Sequence, residues 1–421
     1  MTVALTDSDR ALLAGEKGPA ARLAMSIVVR MADVGDAPAL MDISAAHIDS
    51  AIYLGEGTMA FAEKLAALGG KVAVPSSLNV SGLDEHGWRD WPVPPEYAAK
   101  AHRQMVAYQT MGCAPIWTCA PYQTKHKPVF GQQIAWGESN AICFANSVIG
   151  ARTERYPDMF DICAAITGRV PAAGLHLEEN RGGQDLVRLV GIPERLMAES
   201  SFYPVLGHLV GKFAQERIPV IDGLSVTPTE DQLKALCAGT ACSGAVALLH
   251  IVGVTPEAPT LAAAFRGKAP ERTLVVTLDD LRAARRELTT VSDQPLDMVM
   301  LGSPHFSLAE FRALAPLLKG KRRAPGTAFV VTTSRIMAAL AKADGLLEPL
   351  EAFGGRVSVD ACVLTMPMLK TGEKVLMTNS AKYAYYTPGL LGAGVAFGST
   401  VDCVESAVLG RVIRDESLWN E

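Results

Sequence analysis

The chain of 421 residues lacks several short motifs that assign a function directly. It contains no Cys-x-x-Cys pair, no Gly-x-x-x-x-Gly-Lys-Ser/Thr phosphate loop and no Gly-x-Gly-x-x-Gly sequence that opens a helix. A Gly-x-Ser-x-Gly nucleophile elbow is also missing, which disfavours a hydrolase with a Cys or Ser nucleophile beside His305. A ready zinc ribbon and the common nucleotide-binding loops are therefore excluded.

An excess of basic residues is also absent. The 39 Lys and Arg residues are outnumbered by 44 Asp and Glu residues, for a net charge of −5. No basic surface for nucleic acid or an anionic membrane is expected from this balance. The N-terminal residues lack the basic and apolar regions of a signal peptide, and no uncharged apolar run reaches transmembrane length. We expect a cytoplasmic protein.

Eight cysteines are dispersed along the chain, at positions 113, 119, 143, 163, 237, 242, 362 and 403. Such spacing is unlike the framework of a small disulfide-rich protein, so these residues are expected to be free thiols or metal ligands. Hydrophobic residues make up 49% of the chain and charged residues 20%, which is typical of a globular protein with buried cores. The length favours roughly two to three domains.

Strands alternate with helices from about residue 225 to residue 421. Apolar strands are predicted at 245–254, 272–277, 296–302, 327–333 and 356–359, and the helix after the third of them begins with the capping box Ser307 and Glu310. This alternation predicts a doubly wound lobe with a parallel sheet. Ser303 and Cys362 follow two of the strands, at the sheet edge where such folds bind ligands.

The N-terminal lobe, at about 1–224, contains polar residues next to predicted strands. A buried strand starting at Ala39 runs out into His47 and Asp49, and the strand 71–75 is followed by a group comprising Ser76, Ser77 and Asn79. A ligand site at these strand ends is one interpretation. The alternatives are a satisfied core histidine and ordinary turn chemistry.

The segment 111–153 combines a stiff, proline-containing stretch around Cys119 with many hydrogen-bonding side chains among apolar residues. These polar residues are Glu138, Ser139, Asn140, Asn146, Ser147, Arg152 and Thr153. Buried polar groups need partners, so either a small polar ligand or an internal network satisfies them. Arg169, or Arg181 on a predicted strand with His176, and Lys382 near the C-terminus are further candidates for binding an anion. Solvated surface positions are the alternative.

Several of these motifs together resemble the catalytic region of the aconitase X family. The matching stretches run in the family's order over residues 40 to 405, which is nearly the whole chain. They are Ile43-Ser-Ala-Ala-His-Ile-Asp, Val74-Pro-Ser-Ser-Leu-Asn, Cys119-Ala-Pro-Tyr, Ala135-Trp-Gly-Glu-Ser-Asn, Ala145-Asn-Ser-Val-Ile-Gly-Ala-Arg-Thr, Gly302-Ser-Pro-His-Phe-Ser-Leu, Asp360-Ala-Cys and Met377-Thr-Asn-Ser-Ala-Lys-Tyr.

The resemblance implies an α/β hydro-lyase with stacked α/β/α lobes, largely parallel sheets and an iron site. The family's ligand positions fall on Cys119, Ser303 and Cys362, and the family has cysteine where this chain has Ser303. Because a hydroxyl is a poorer ligand than a thiolate for an iron–sulfur cluster, we predict a mononuclear iron held by Cys119, Cys362 and either Ser303 or His305. A [2Fe–2S] cluster is the alternative.

The resemblance also implies a substrate class and a partner. Family activities include dehydration of cis-3-hydroxy-L-proline and of mevalonate 5-phosphate; we predict the first, because the chain has no recognisable phosphate loop. The swivelling domain of the family is not recognised in this chain and is expected on a separate small subunit. An acid-binding subunit without catalytic activity is a further alternative.

Individual site residues follow from the same resemblance. Catalytic roles are predicted for Glu138, His47 and Lys382. Substrate-binding roles are predicted for Ser76, Ser77, Asn79, Ser139, Asn140, Arg152 and Lys382. In this mechanism iron assists loss of the β-hydroxyl while a positioned base removes the α proton.

Overall fold

The computed structural model describes residues 3–370 and 372–420. It divides into two compact units, Met1–Arg181 and Gly182–Glu421. Across the described residues, none of the helices combines the length and apolar character needed to cross a membrane.

The first unit contains six helices and five strands among its described residues. The helices are α1 (Asp7–Ala14), α2 (Pro19–Val34), α3 (Glu56–Ala67), α4 (Pro95–Thr110), α5 (Ser139–Phe144) and α6 (Phe160–Thr167). The strands are β1 (Leu40–Asp42), β2 (Ala46–Ile48), β3 (Ser76–Leu78), β4 (Ala135–Trp136) and β5 (Arg169–Pro171). Strands β3, β2 and β4 form a parallel sheet in that order, and β1 pairs with β5 in antiparallel orientation.

Two predicted strands of this unit are corrected by the structure. The strand expected at 71–75 begins instead at Ser76, directly after Pro75, which has no N–H group to contribute to a ladder. Ser76 and Ser77 therefore lie within β3 and do not follow it. The strand expected around His176 is a pair of 3₁₀ turns, because the backbone bonds itself: Leu177 donates to Gly174, and Arg181 to Glu178.

The second unit contains two parallel sheets. Its helices are α7 (Glu194–Met197), α8 (Phe202–Ala214), α9 (Glu230–Ser243), α10 (Leu261–Ala264), α11 (Leu278–Glu287), α12 (Leu308–Leu318), α13 (Arg335–Ala343), α14 (Leu347–Phe353), α15 (Ala381–Leu391) and α16 (Thr400–Leu409). Its strands are β6 (Asp185–Leu189), β7 (Pro219–Asp222), β8 (His250–Ile251), β9 (Arg272–Val276), β10 (Met298–Leu301), β11 (Ala328–Thr333), β12 (Arg356–Val359), β13 (Val375–Thr378) and β14 (Gly394–Phe397). The strand orders are β8-β7-β6-β9 and β12-β11-β10-β13-β14.

The division between units differs from the predicted lobe boundary. Residue 224 lies between β7 and β8, which are paired neighbours in the four-stranded sheet. A boundary there would divide this sheet, whereas the observed division after Arg181 precedes all four of its strands.

The five-stranded sheet confirms the predicted doubly wound arrangement for three of the predicted strands, which are β10, β11 and β12. The strands predicted at 245–254 and 272–277 correspond to β8 and β9 and belong to the four-stranded sheet. All strands of the five-stranded sheet are parallel. Helices α12, α14 and α16 cover one face of this sheet. Their apolar side chains form a core with Val299, Val331 and Met377 of the strands. Helix α15 packs on the other face. Because the chain proceeds from β10 to β12 in one direction and from β13 to β14 in the other, the topological switch point lies between β10 and β13.

Candidate active site

In the first unit, three carboxylate or amide side chains gather at the carboxyl edge of the three-stranded sheet. Asp49 follows β2, Asn79 follows β3, and Glu138 comes shortly after β4. The amide nitrogen of Asn79 donates a hydrogen bond to the carboxylate of Asp49. The sequence places Asp49 at the end of a predicted strand but indicates no partner for it. The parallel pairing of β2 with β3 brings it next to Asn79.

Glu138 caps the N-terminus of α5 with its carboxylate. One carboxylate oxygen accepts hydrogen bonds from the Ala141 backbone N–H at 2.8 Å and from the Asn140 amide at 2.7 Å. The Ser139 hydroxyl lies 3.3 Å from the other oxygen. These donors and the positive end of the helix stabilise a buried, charged carboxylate. The predicted roles of Glu138, Ser139 and Asn140 thus fall on one cluster.

Asn140 also joins this cluster to the Cys119 loop. Its amide nitrogen lies 2.7 Å from the Cys119 carbonyl oxygen, and its amide oxygen accepts a 2.9 Å hydrogen bond from the Tyr122 hydroxyl. The Tyr122 ring is stacked on Phe144 at a centroid distance of 3.8 Å. Tyr122 received no role in the sequence analysis, although it ends the Cys119-Ala-Pro-Tyr motif.

His47 is completely buried within β2 and is uncharged at neutral pH. Its Nδ1 atom lies 2.8 Å from the Ser77 hydroxyl on the neighbouring strand, and its ring is tilted against Trp136. Burial lowers the pKa of His47 to about 3, and the nearby Glu138 charge opposes this only in part. His47 is therefore suited to donate or accept hydrogen bonds as a neutral imidazole.

Two other predicted substrate-binding side chains are engaged within the unit. The Ser76 hydroxyl donates to the Val74 carbonyl at 2.8 Å. Arg152 forms an ion pair with Glu178, and its guanidinium lies 5.7 Å from the Phe130 ring centroid. Arg169 likewise pairs with Asp9 and Asp42.

In the second unit, the Ser303 loop follows β10 and is held by its neighbours. Gly302 has a φ of 99°, and a Cβ atom there would lie 2.1 Å from the Thr332 carbonyl oxygen, so only glycine fits. The Thr332 hydroxyl donates to the Gly302 carbonyl at 2.8 Å and contacts the Tyr383 hydroxyl at 2.9 Å. The Ser380 hydroxyl donates to the Ser303 carbonyl, and the Ser303–Pro304 peptide is cis.

Cys362 lies on the loop after β12, which is joined to the Ser303 loop. The buried His305 ring contacts the Ala361 carbonyl through Nε2 at 3.2 Å. Burial raises the pKa of the Cys362 thiol, while the Thr365 hydroxyl and the Lys382 charge act in the opposite direction. Lys382 lies in the first turn of α15. Its positive charge is near enough to Cys362 to favour the thiolate form.

A cavity of about 410 Å³ opens at the switch point of the five-stranded sheet. Its lining includes the residues that follow three strands and the start of α15 and α16. These are Gly302, Ser303, Asn379, Ser380, Ser399 and Thr400. Ser303 thus follows β10 at the carboxyl edge of a parallel sheet, and its role as a ligand stays a prediction.

The predicted iron ligands are distributed over the two units. Cys119 belongs to the first unit, and Ser303 and Cys362 belong to the second. Within residues 3–370 and 372–420, no three His, Cys, Asp or Glu side chains gather as a metal-binding group. The predicted set contains two such side chains if Ser303 is the third ligand and three if it is His305. The iron site stays a prediction in either case.

Family models cover most of the chain. The aconitase X first domain matches residues 2–179, the second domain 186–286 and the third domain 296–409. A solved structure titled aconitase X (holo-form) from Thermococcus kodakaraensis superimposes with a TM-score of 0.86 at 32% identity, covering 96% of this chain and all of that one.

Curated relatives fall into two groups. The cis-3-hydroxy-L-proline dehydratase of Pseudomonas aeruginosa is 48% identical over 406 residues, which is 96% of this chain and 70% of the relative. The enzyme of that name from Hypocrea jecorina is 42% identical over 97% of this chain and 69% of its own length. The phosphomevalonate dehydratase large subunit of Methanothermobacter thermautotrophicus is 35% identical over 96% and 98% of the two chains. From its domains, its fold and these relatives, the chain belongs to the aconitase X family.

Proposed function

We propose that this protein is a hydro-lyase that dehydrates cis-3-hydroxy-L-proline to Δ1-pyrroline-2-carboxylate. The observation that supports this substrate is the difference in identity between the two groups of relatives. Two cis-3-hydroxy-L-proline dehydratases are 48% and 42% identical to the chain, against 35% for the phosphomevalonate dehydratase large subunit of Methanothermobacter thermautotrophicus.

The donor set fits an iron ion. Cys119 and Cys362 supply thiols, and Ser303 supplies a hydroxyl at the carboxyl end of a strand in the sheet that also positions Cys362. Burial raises the pKa of the Cys362 thiol, and the Thr365 hydroxyl and the Lys382 charge offset this only in part, so forming the thiolate that metal binding requires depends on the metal itself. Two thiolates and one hydroxyl favour a single iron ion over a sulfide-bridged cluster. When bound, iron would supply a Lewis acid for the departing β-hydroxyl.

The residues of the first unit bind and orient the substrate in this proposal. Glu138 is held as a carboxylate by the α5 N-terminus and accepts the α proton of hydroxyproline. Neutral His47, steadied by Ser77, lies beside that carboxylate and donates a hydrogen bond to the hydroxyl that leaves. Asn79 and Ser139 supply further polar contacts. A substrate role for Asn140 remains a prediction, because its amide is bound to Cys119, Glu138 and Tyr122. Loss of the α proton and the β-hydroxyl as water leaves an enamine, which tautomerises to the Δ1 product.

In the second unit, Lys382 binds the substrate carboxylate as a cation at the start of α15. Ser303 lines the cavity at the same sheet edge. Substrate roles for Ser76 and Arg152 remain predictions. To bind substrate, Ser76 would have to release the Val74 carbonyl and Arg152 would have to release Glu178. A cytoplasmic location also remains a prediction.

A second candidate is dehydration of a phosphorylated β-hydroxy acid. The N-termini of α15 and α16 both border the cavity of the second unit, and helix N-termini attract anionic groups. The relatives named phosphomevalonate dehydratase large subunit match this chain over nearly their whole length. Their name supports a separate small subunit, and we propose that such a chain carries the swivelling domain here.

The test is anaerobic co-purification with the candidate small subunit, followed by iron and sulfide analysis and separate assays with cis-3-hydroxy-L-proline and mevalonate 5-phosphate. We expect one iron per complex, no acid-labile sulfide and formation of Δ1-pyrroline-2-carboxylate. If the complex converts mevalonate 5-phosphate and not cis-3-hydroxy-L-proline, the phosphate ester becomes the substrate. An iron-free complex that is active would overturn the proposed role of iron.

A further inference from the structure

The Cys362 loop begins with an unusual backbone turn at Asp360. Asp360 has a φ of 66°, and the Ala361 N–H donates to the Val359 carbonyl at 2.8 Å, so a three-residue turn is centred on Asp360. Residues other than glycine rarely adopt this conformation, which is disfavoured unless neighbouring contacts hold it. Asp360 is completely buried.

Arg335 holds this turn from the first position of α13. Its Nε donates to one Asp360 carboxylate oxygen at 2.6 Å, and its Nη2 donates to the other at 2.7 Å. This bidentate geometry restricts both the position and the orientation of a carboxylate. The guanidinium is partly accessible, with 32% of its side chain exposed, whereas the carboxylate is not exposed.

The residues beside Asp360 are held by independent contacts. His305 binds the Ala361 carbonyl, and the Thr365 hydroxyl lies 3.6 Å from the Cys362 sulfur. Arg335 is a charged side chain that binds the start of this loop, two residues before the thiol. It does not belong to any motif of the sequence analysis.

We propose that Arg335 is a positioning residue, which holds the left-handed turn at Asp360 through its bidentate ion pair and thereby orients the Cys362 thiol for iron. The inference rests on the proposed function, in which Cys362 is an iron ligand. Its structural part, the control of the Cys362 loop by Arg335, is measurable without iron.

The test compares Arg335→Met, Arg335→Lys and the double variant Arg335→Met/Asp360→Gly in the full chain with its small subunit. Glycine adopts a positive φ readily, so it removes the need for a side chain that holds the turn. Arg312→Met is the matched control, because Arg312 pairs at 2.7 Å with Asp344 at the opposite end of α13. All variants are checked for folding by thermal unfolding.

The first readout is alkylation of the iron-free protein by iodoacetamide, expressed as the rate at Cys362 relative to Cys119. We expect this ratio to rise severalfold in Arg335→Met, to rise less in Arg335→Lys, and to return towards wild type in the double variant. Iron affinity should fall about 10- to 100-fold in Arg335→Met, as is typical when a residue that orients a ligand is lost. Arg312→Met should match wild type in both readouts.

An unchanged alkylation ratio and iron affinity in Arg335→Met would overturn the inference. The inference would also be overturned if the double variant had the same alkylation ratio and iron affinity as Arg335→Met. Arg335 would then not act through the Asp360 turn. If Arg335→Met fails to fold, the comparison of Arg335→Lys with Arg335→Lys/Asp360→Gly decides by the same criteria. Failure of the proposed function has a different signature, namely wild-type protein that binds no iron or does not dehydrate hydroxyproline.

Discussion

The side-chain amide nitrogen of Asn140 lies 2.7 Å from the backbone carbonyl oxygen of Cys119. The same nitrogen lies 2.7 Å from a carboxylate oxygen of Glu138. One buried amide group therefore joins the loop of a predicted iron ligand to the predicted proton acceptor. Because each of its two hydrogens has a separate acceptor, a change at Asn140 affects both groups at once.

Replacing Asn140 with Ala should reduce both activity and stability. Loss of the amide leaves a buried carbonyl and a buried carboxylate each short of one donor, which costs about 1–3 kcal/mol for each group. The free energy of unfolding in urea and kcat with hydroxyproline are the measurements. Tyr122→Phe is the matched control, since it removes the bond to the Asn140 amide oxygen and leaves both bonds of the Asn140 amide nitrogen in place. An effect of Tyr122→Phe as large as that of Asn140→Ala would contradict this account.

Replacing Gly302 with Ala should disrupt the Ser303 loop. The new Cβ would lie 2.1 Å from the Thr332 carbonyl oxygen, and the φ of 99° is unfavourable for alanine. We expect a loss of unfolding free energy above about 2 kcal/mol, from overpacking and backbone strain together. Gly320→Ala serves as the control, because Gly320 also has a positive φ but a Cβ atom there would have no neighbouring atom within 4 Å. Its expected loss is about 1 kcal/mol. Equal losses for the two variants would exclude the steric explanation.

His47 should make the protein less stable in acid. Its pKa of about 3 in the folded state lies below the ordinary value of 6.5, so the unfolded chain binds more protons between these two values. The stabilising contribution is therefore complete above pH 6.5 and is lost as the pH falls towards 3. Between pH 6.5 and 4 the loss should be about 3 kcal/mol. The free energy of unfolding in urea is measured for wild type and His47→Asn at several pH values in this range. We expect it to fall more steeply with decreasing pH in wild type, and an equal pH dependence in the two proteins would refute the prediction.

Replacing Ser303 with Cys tests the proposed single iron ion. A third thiol supplies the soft ligand that sulfide-bridged iron prefers. We expect anaerobically reconstituted Ser303→Cys to contain acid-labile sulfide together with iron, whereas wild type contains iron without sulfide. Ser303→Ala, which removes the hydroxyl without adding a ligand, should bind iron more weakly and contain no sulfide. Sulfide in the wild-type protein would show that Ser303 does not prevent a cluster.

The sequence was sufficient for the features that depend on local pattern. The capping box at Ser307 and Glu310 begins α12 as predicted. The parallel pairing of β10, β11 and β12 was predictable because consecutive apolar strands separated by helices have few other ways to pair. The collinear motifs were sufficient to indicate the family.

Features that depend on contacts between distant residues required the tertiary structure. Around His176 the backbone forms 3₁₀ turns in place of the expected strand, because its N–H groups bond to carbonyls three residues earlier in the chain. Arg152, a predicted substrate-binding residue, forms an ion pair with Glu178, which is 26 positions away in the sequence. No pattern along the chain indicates that Arg335 holds Asp360, because they lie 25 positions apart and meet only through the pairing of β11 with β12.

The sequence by itself therefore determined the family, the fold class and the residue types available for chemistry, because these depend on composition, periodicity and the order of motifs. The tertiary structure decided which polar side chains are already paired, which loops meet at a sheet edge and which buried groups lose their charge. The physical reason is that hydrogen bonding and burial act over a few ångströms in space, whatever the separation along the chain.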